Sequence, residues 1–390
     1  MRRFLIKCGV FSIPLWVIFA PALIHLETYR ELESIEVMAS QNQHNDVLIG
    51  LAYTDPMHLV KQAVLKNRQP EVIALGTSRV LQFRDFVFSK PDSFYNCGRA
   101  IGKIQDLRAF LSAYPHKKPK AIILGLDQDL FNVDEEDLSK EPRSYQIKDS
   151  SYGTRLTKGT KAFWEAWSDG DVVTGTNLPG TTNFIGRNAR LENEGYRADG
   201  SYIYGRLLRN AETADEYEFG GTIRRINKGK GRFATATEIN PSAIQQIADF
   251  LENCRELDIH VVGFIPPYAG KVYDRLKQDS ENYPHVFELY ESLKPIFDAE
   301  DRLLMDFSDI RSLGSNDFET TDGFHGSEVS YLKLLRELSN RDKILASSVN
   351  VSALNHGIAH TFSARQIIEE RPEAQPRSPQ SSTSRIQSIE

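Results

Sequence analysis

Short apolar runs separated by amphipathic segments form the main pattern along this chain. Five of the runs have the length of strands, and each is followed within two residues by a glycine, a proline or a polar residue. The run at 121–127 is the most apolar, and near-continuous hydrophobicity indicates burial on both faces, as in a parallel sheet. We therefore predict strands at 72–75, 93–96, 121–127, 259–265 and 303–307.

Segments with apolar residues at helical spacing lie between these runs. Ile104, Leu107, Phe110 and Leu111 recur at intervals of three and four, the period of one helix face. Strands that alternate with helices are typical of a parallel α/β sheet, so the fold class we predict is α/β with a central parallel sheet. The predicted helices span 56–66, 102–113, 241–257, 283–298 and 328–338.

Residues 132–238 interrupt this alternation. Glycine, asparagine, threonine and charged residues dominate there, with scattered aromatic side chains. Long loops inside a compact domain are usually functional. We expect a long insertion at the rim of the sheet, partly helical and partly irregular, that forms a lid or a wall of a substrate site. Its aromatic residues include Phe163, Trp164, Trp167, Tyr202 and Tyr204.

The N-terminus carries a membrane signal. Arg2, Arg3 and Lys7 flank an apolar run at 8–26, which is about as long as a single membrane span requires. The basic flank predicts a cytoplasmic N-terminus, with the rest of the chain on the outer side. The alternative is a cleaved signal peptide, because Ala20-Pro21-Ala22 has the small-x-small form of a cleavage site. We favour the anchor, since the apolar run continues past that site.

The chain of 390 residues has room for one large domain with an insertion. We predict an anchor or signal peptide at 1–27, a stalk with a first helix at 28–68, and the main domain at 69–345. The remaining segment, 346–390, is polar and is predicted to be disordered.

Composition narrows the possible functions. The net charge is −6 and no dense block of Lys and Arg occurs, so nothing indicates a nucleic-acid partner. Cys8, Cys97 and Cys254 lack Cys-x-x-Cys spacing, which argues against a zinc site or a dithiol redox centre. We expect Cys97 and Cys254 to be buried thiols, with one disulfide between them as the alternative. The histidines are isolated in sequence, and we predict no metal ion and no cofactor.

The strand at 72–75 ends in Gly76-Thr77-Ser78. Ligands bind at the carboxyl ends of the strands in an open α/β sheet, which would place Ser78 at the mouth of the sheet. The alternative is that Gly76 makes a turn and Thr77 or Ser78 caps the next helix. Taken alone, this motif favours the cap.

A second polar motif, Asp322-Gly323-Phe324-His325, lies just before the last predicted helix. A histidine can accept a proton from a serine through one ring nitrogen, while an aspartate receives a hydrogen bond from the other nitrogen. The alternative is that Asp322 caps a turn and His325 packs at the start of a helix. The motif alone leaves both open.

Gly76-Thr77-Ser78, Asn96-x-Gly98 and Asp322-x-x-His325 follow one another in an order and spacing that resembles the SGNH/GDSL hydrolase superfamily. The chain looks most like the membrane-anchored branch with D-alanyl-lipoteichoic acid biosynthesis and alginate O-acetylation proteins. There the usual Gly-Asp-Ser is replaced by Gly-[Ser/Thr]-Ser. The resemblance covers roughly 71–340 apart from the insertion, and it implies an SGNH-like three-layer sandwich.

The resemblance also implies roles for single residues. Ser78 would be the nucleophile, His325 the general base and then acid, and Asp322 its orienting partner. The backbone N–H groups of Ser78 and Gly98 would form an oxyanion hole. Asn96 would hold the turn together and leave Gly98 free to approach substrate, although an ordinary turn asparagine is as good a description.

The third sequence block departs from the family. A conventional member has Gly-x-Asn-Asp, whose Asn completes the oxyanion hole, whereas this chain has Gly125-Leu126-Asp127. A carboxylate at Asp127 would repel an oxyanion unless it were protonated or turned away, so we expect it to be structural or to orient a polar acceptor. Arg79 would bind a substrate anion or pair with Asp127 or Asp129, and we favour the ion pair. Tyr268, after another strand, would line the pocket or pack.

The sequence thus predicts an extracytoplasmic, membrane-anchored serine acyltransferase or esterase. Its substrate would be the acyl groups, in the first place O-acetyl groups, of a cell-envelope or exported polysaccharide. The resemblance implies a multipass membrane acyltransferase as partner. The alternative function is an inactive SGNH-like scaffold or glycan-binding protein, which the missing third-block Asn and the aromatic insertion both favour.

Overall fold

A central parallel sheet organises the molecule. The computed structural model describes residues 1, 17, 19–45, 47–115, 117–134, 138, 140–146, 150–172, 183–210 and 218–368. The strands in this part of the chain are β1 (Leu48–Ile49), β2 (Val72–Gly76), β3 (Phe94–Gly98), β4 (Ala121–Gly125), β5 (Phe184–Ile185), β6 (Glu194–Tyr196), β7 (Tyr202–Tyr204), β8 (His260–Ile265) and β9 (Leu303–Asp306).

Five of these strands form an all-parallel sheet in the order β3–β2–β4–β8–β9. The predicted α/β class and all five predicted strands are therefore confirmed. Gly76 of β2 lies opposite Gly98 of β3, and Leu75 lies opposite Leu124 of β4. This register brings the residues that follow β2, β3 and β4 to one edge of the sheet.

Alternate side chains of the strands enter two separate cores, as expected for a sheet that is covered on both faces. Ile73 and Leu75 belong to one core, and Val72 and Ala74 belong to the other. The longer helices that cover the sheet and its surroundings are Ile35–Asn45, Met57–Arg68, Asp106–Ala113, Tyr152–Ser168, Gly220–Lys228, Pro241–Glu256, Gly270–Lys277, Leu289–Ala299, Glu328–Arg341 and Val351–Ala359.

Two of the predicted helices differ from the observed ones. The helix predicted at 102–113 begins only at Asp106, whose carboxylate accepts the N–H groups of Gly102 and Lys103 and holds them in a turn. The helix predicted at 283–298 is interrupted at Glu288, which separates Pro284–Phe287 from Leu289–Ala299.

The segment at 28–68 is not a stalk. Its apolar side chains Leu32, Ile35 and Met38 are buried, and β1 pairs with β5 and β6 of the insertion. The carboxylate of Glu31, which is fully buried, accepts the N–H groups of Ala52, Tyr53 and Arg187. The buried polar side chains of Glu31 and Asn42 are hydrogen-bonded within the fold, which an exposed stalk would not require.

The tail predicted at 346–390 is also partly ordered. Leu354 of the helix Val351–Ala359 is fully buried, and Val349 and Ile367 belong to the core beneath the helix Glu328–Arg341. These side chains cover one end of that core, so residues 346–368 are part of the domain. Residues 369–390 lie outside the described part of the chain.

The insertion at 132–238 contains a second sheet. Its strands β5, β6 and β7 combine with β1 in the order β5–β1–β6–β7. The helix Tyr152–Ser168 lies against the helix at 19–28, where Gly159 approaches Leu26 and Tyr152 donates a hydrogen bond to Glu27. The insertion is thus attached to the N-terminal part of the chain as well as to the domain.

None of the helices that the structure describes is both long and apolar enough to span a membrane. Most of the run at 8–26, namely 8–16 and 18, lies outside the described residues, as does Cys8. Cys97 and Cys254 are buried free thiols, as predicted.

Candidate active site

Ser78 stands where β2 ends, at the start of a 3-10 turn, Ser78–Val80. Thr77 is extended (φ −79°, ψ −156°), and its hydroxyl accepts the N–H of Arg79. Gly76 leaves room for this turn, since a Cβ there would lie 2.8 Å from a methyl group of Val80. Ser78 itself is partly exposed, whereas Thr77 and Arg79 on either side are buried. The local sequence therefore presents one hydroxyl at the edge of the sheet.

The structure brings Ser78, His325 and Asp322 together. His325 Nε2 lies 2.9 Å from Ser78 Oγ, and His325 Nδ1 lies 3.0 Å from Asp322 Oδ2. The carboxylate is an acceptor for Nδ1–H, which leaves Nε2 free to accept the serine proton. This is the base-and-orienter arrangement that nucleophilic serine chemistry requires.

The loop around Asp322 is stabilised by hydrogen bonds within the loop and by one from the insertion. Asp322 Oδ1 accepts the N–H groups of Phe324 (3.0 Å) and His325 (2.7 Å). Gly323 has φ +81°, and a Cβ there would lie 2.8 Å from Phe219 and Val272, so glycine suits both the backbone and the packing. The hydroxyl of Thr222, in the insertion, donates to the carbonyl of Asp322 (2.8 Å).

Burial and charge set the protonation states of the triad. Burial alone would raise the pKa of Asp322, but the charge and hydrogen bonds of His325 outweigh it and hold that pKa well below its ordinary value. Burial also lowers the pKa of His325, although Asp322 opposes this shift. Near neutral pH the pair is therefore a carboxylate beside a neutral imidazole, the state in which His325 is a base.

Arg79 is a buried structural cation. It is 1% exposed, and its guanidinium donates to Gln128 Oε1 (2.5 Å) and to the carbonyls of Pro266 (3.0 Å) and Pro267 (2.8 Å). The predicted pairing with Asp127 is present at 3.9 Å. Because Arg79 is enclosed, it does not offer a surface to a substrate anion.

Asp127 is fully buried and accepts a hydrogen bond from the hydroxyl of Thr77. Burial raises its pKa to about 6, although the charge of Arg79 opposes the shift. The carboxylate fixes the residue that precedes Ser78, which agrees with the structural role we expected. It supplies no donor in the place of the family's Asn.

Asn96 and Gly98 correct one expectation. Asn96 Nδ2 donates to the carbonyls of Val80 (2.8 Å) and Phe83 (3.0 Å), so Asn96 does tie the turn together. Its Oδ1, however, accepts the N–H of Gly98 at 2.8 Å. The N–H of Gly98 is therefore not free in this structure, because Asn96 already occupies the expected oxyanion donor.

Tyr268 does not line an open pocket. Tyr268 is 1% exposed. Its ring lies 4.4 Å from the guanidinium of Arg79, and the ring of Phe324 lies 4.5 Å from the same guanidinium. Tyr268 thus packs in the core against Arg79, the residue that follows Ser78. Of the two predicted roles of Tyr268, lining the pocket or packing, the structure shows packing.

Residues of the insertion lie beside the triad. Tyr204 is named from sequence among the aromatic residues of the insertion, but Thr222, Arg225 and Arg232 are not. The ring of Tyr204 lies 5.3 Å from that of His325. Arg225 donates to the hydroxyl of Thr222 (3.0 Å), and the guanidinium of Arg232 lies 5.3 Å from the ring of Phe324. The sequence signal was a long insertion with charged and scattered aromatic residues, which does not single out Thr222, Arg225 or Arg232.

Within the described ranges no group of three His, Cys, Asp or Glu side chains is placed to hold a metal ion. At this edge of the sheet the structure places the serine, the imidazole, the carboxylate and the nearby arginines.

The chain was compared with known proteins at three levels. No protein-family model matches it, and neither the curated proteins nor the solved structures include a match.

Proposed function

We propose that this protein is an extracytoplasmic, membrane-anchored serine acyltransferase or esterase of SGNH type. It acts on acyl groups, in the first place O-acetyl groups, of a cell-envelope or exported polysaccharide. The observation that carries the proposal is the chain of contacts from Ser78 Oγ through His325 (2.9 Å) to Asp322 (3.0 Å) at the carboxyl edge of a parallel sheet.

Catalysis begins when Ser78 Oγ attacks the carbonyl carbon of an ester and His325 Nε2 takes the hydroxyl proton. The tetrahedral intermediate collapses, the ester C–O bond breaks, and His325 returns the proton to the departing alcohol. The acyl-enzyme is then attacked by water or by a sugar hydroxyl, whose proton passes to His325 and then to Ser78 as the acyl group leaves. Asp322 keeps the imidazole in the tautomer that both half-reactions need.

Sequence features support the location and the substrate class. The basic flank and apolar run at the N-terminus fit an anchor in the cytoplasmic membrane that holds the domain on its extracytoplasmic side. The resemblance to envelope and alginate O-acetylation proteins supports a polysaccharide as acceptor or donor. A multipass membrane acyltransferase that supplies the acyl group is the partner this arrangement would use.

A second candidate function is a scaffold or glycan-binding protein without catalytic activity. Two observations favour it: the N–H of Gly98 is occupied by Asn96, and a carboxylate, Asp127, stands where the family has an amide. A binding protein has no need of an activated serine, so the reactivity of Ser78 separates the two functions.

The experiment uses the full-length chain in detergent and the release of p-nitrophenol from p-nitrophenyl acetate. We expect Ser78→Ala and His325→Ala each to lose at least about 10³-fold of the wild-type rate, because each removes a member of a unit that acts together. Matched controls are Ser312→Ala and His360→Ala, both at exposed positions, which should keep the wild-type rate. Wild-type protein that is folded but inactive would reject the acyl-transfer function.

A further inference from the structure

The described site has few donors for a developing oxyanion. The N–H of Gly98 is bonded to Asn96, that of Arg99 to the carbonyl of Thr77 (3.0 Å), and that of Ala100 to the carbonyl of Cys97 (3.1 Å). The N–H of Ser78 heads a helical turn, where the first amides have no partner within the turn. A single amide is a weak oxyanion hole, since such sites normally combine several donors.

A guanidinium with unused donors lies beside the triad. Arg232 Nη1 is buried and has no hydrogen-bond partner, and no ion pair or side-chain hydrogen bond of Arg232 occurs among the described residues. Buried polar groups are nearly always paired, so an unpaired one in a site calls for an explanation such as a catalytic role. Arg225, the neighbouring arginine, donates to Thr222 through Nη2, although its Nε is also buried without a partner.

The backbone fixes Arg232 at this place. Gly229 and Gly231 have positive φ values (+54° and +60°) and form the turn that follows the helix Gly220–Lys228. Phe233, which follows Arg232, is buried against Phe324 (ring centroids 5.6 Å apart). The carbonyl of Phe233 accepts a hydrogen bond from the hydroxyl of Tyr283 (3.1 Å). The backbone of Arg232 is therefore fixed on one side by the glycine turn and on the other by the buried ring of Phe233.

Two further observations locate the charge at the reacting end of the sheet. The guanidinium lies 5.3 Å from the ring of Phe324, and that ring lies 4.9 Å from the ring of His325. Burial is the largest influence on the pKa values of His325 and Asp127, but the positive charge of Arg232 also lowers both. The charge of Arg232 therefore acts both on the base and on Asp127, which follows β4 at the position where the resembled superfamily has its Asn.

We propose that Arg232 is a further catalytic residue that donates hydrogen bonds to the oxyanion of the tetrahedral intermediate, in place of the missing third-block Asn. The negative oxygen forms when Ser78 attacks the carbonyl and disappears when the C–O bond breaks, so no additional reactant is needed. The inference rests on the proposed function, because it requires an acyl intermediate on Ser78.

The test measures kcat and KM of the full-length protein for p-nitrophenyl acetate across pH 5–9. This ester is uncharged, so a loss of rate cannot come from a lost contact with a charged substrate. The variants are Arg232→Ala, Arg232→Lys and, as the matched control, Lys230→Ala, which removes an exposed charge two residues away. Thermal unfolding of each variant reports whether it folds.

We expect Arg232→Ala to lower kcat about 10²- to 10³-fold, with little change in KM. Arg232→Lys should keep part of the rate, and millimolar guanidinium should partly restore Arg232→Ala. Removing the charge also raises the pKa of His325, so the acid limb of the profile moves to higher pH. The loss at the alkaline plateau should nevertheless remain, because it comes from the oxyanion.

Three results would overturn the inference. The first is a wild-type rate in folded Arg232→Ala. The second is a loss that vanishes at the alkaline plateau, which would mean that Arg232 acts only through the pKa of His325. The third is a Lys230→Ala loss as large as that of Arg232→Ala. Inactive, folded wild-type protein would instead reject the proposed function and the inference with it, so the two failures are distinguishable.

Discussion

At the level of single side chains, the proposed mechanism makes the charge state of His325 decide whether Ser78 can give up its proton. Burial lowers the pKa of His325 below its ordinary value of 6.5, while the Asp322 carboxylate 3.0 Å away limits the shift. Since only the neutral imidazole can act as a base, a lowered pKa keeps His325 available as a base into mildly acidic conditions.

This gives a prediction for pH dependence. The acid limb of kcat/KM for p-nitrophenyl acetate should have its midpoint below pH 6.5, because protonation of His325 abolishes the base and requires more acid than it does in a free imidazole. Initial rates of the full-length protein between pH 4.5 and 8 measure it. A midpoint clearly above 6.5 would contradict the described environment of His325.

The chemistry-bearing side chains differ in how far sequence could predict them. Asp322 and His325 are three residues apart, so a single loop brings them together, and the glycine turn after a strand presents Ser78. The roles of Gly98 and Tyr268 could not be predicted, because they depend on where Asn96 Oδ1 points and on how deeply an aromatic ring is buried. Those properties arise only from tertiary packing.

At the level of elements, Glu31 joins three parts of the chain. Its carboxylate accepts N–H groups from Ala52 and Tyr53, next to β1, and from Arg187 in the insertion. Burial raises its pKa to about 7, against the effect of these hydrogen bonds. Above that pH it is a fully buried carboxylate whose removal would leave three backbone donors without a partner.

We predict that Glu31→Ala lowers the free energy of unfolding by about 3 kcal/mol or more at pH 5, because unpaired buried donors cost about 1–3 kcal/mol each. The loss should be smaller at pH 8, because the raised pKa means that the contribution of Glu31 to stability falls as the pH rises through about 7. Chemical denaturation of the full-length protein measures the change. Glu33→Ala is the matched control: Glu33 is only partly exposed and pairs with Arg30 (2.9 Å), and such a pair contributes about 1 kcal/mol or less. Equal effects would show that Glu31 does not join these segments.

The elements that sequence predicted are those with a strong periodic signal. β4 is apolar throughout and the helix Pro241–Glu256 repeats its apolar face, so both are predicted almost to their ends. The second sheet was missed because its strands, β1 and β5 to β7, have two or three residues each. Runs that short have no measurable period, and only pairing between distant segments stabilises them.

At the level of the whole molecule, the N-terminal segment, the insertion and the segment after residue 345 are parts of one fold with the central sheet. The insertion brings Tyr204 and Thr222 to the triad, and Arg232 to Phe324 beside it. The tail contributes Leu354 to the core behind the sheet. A fragment limited to residues 41–342 would lose buried side chains at both ends, so functional experiments call for the full-length chain.

The central claim is that Ser78 is an activated nucleophile. The most direct test is to treat the full-length protein with a fluorophosphonate probe and to measure intact mass, followed by peptide mapping. The proposed function predicts one adduct, on Ser78, that is absent from Ser78→Ala and strongly reduced in His325→Ala, because the imidazole must take the serine proton. Folded wild-type protein without an adduct, or an adduct that persists in Ser78→Ala, would contradict the account.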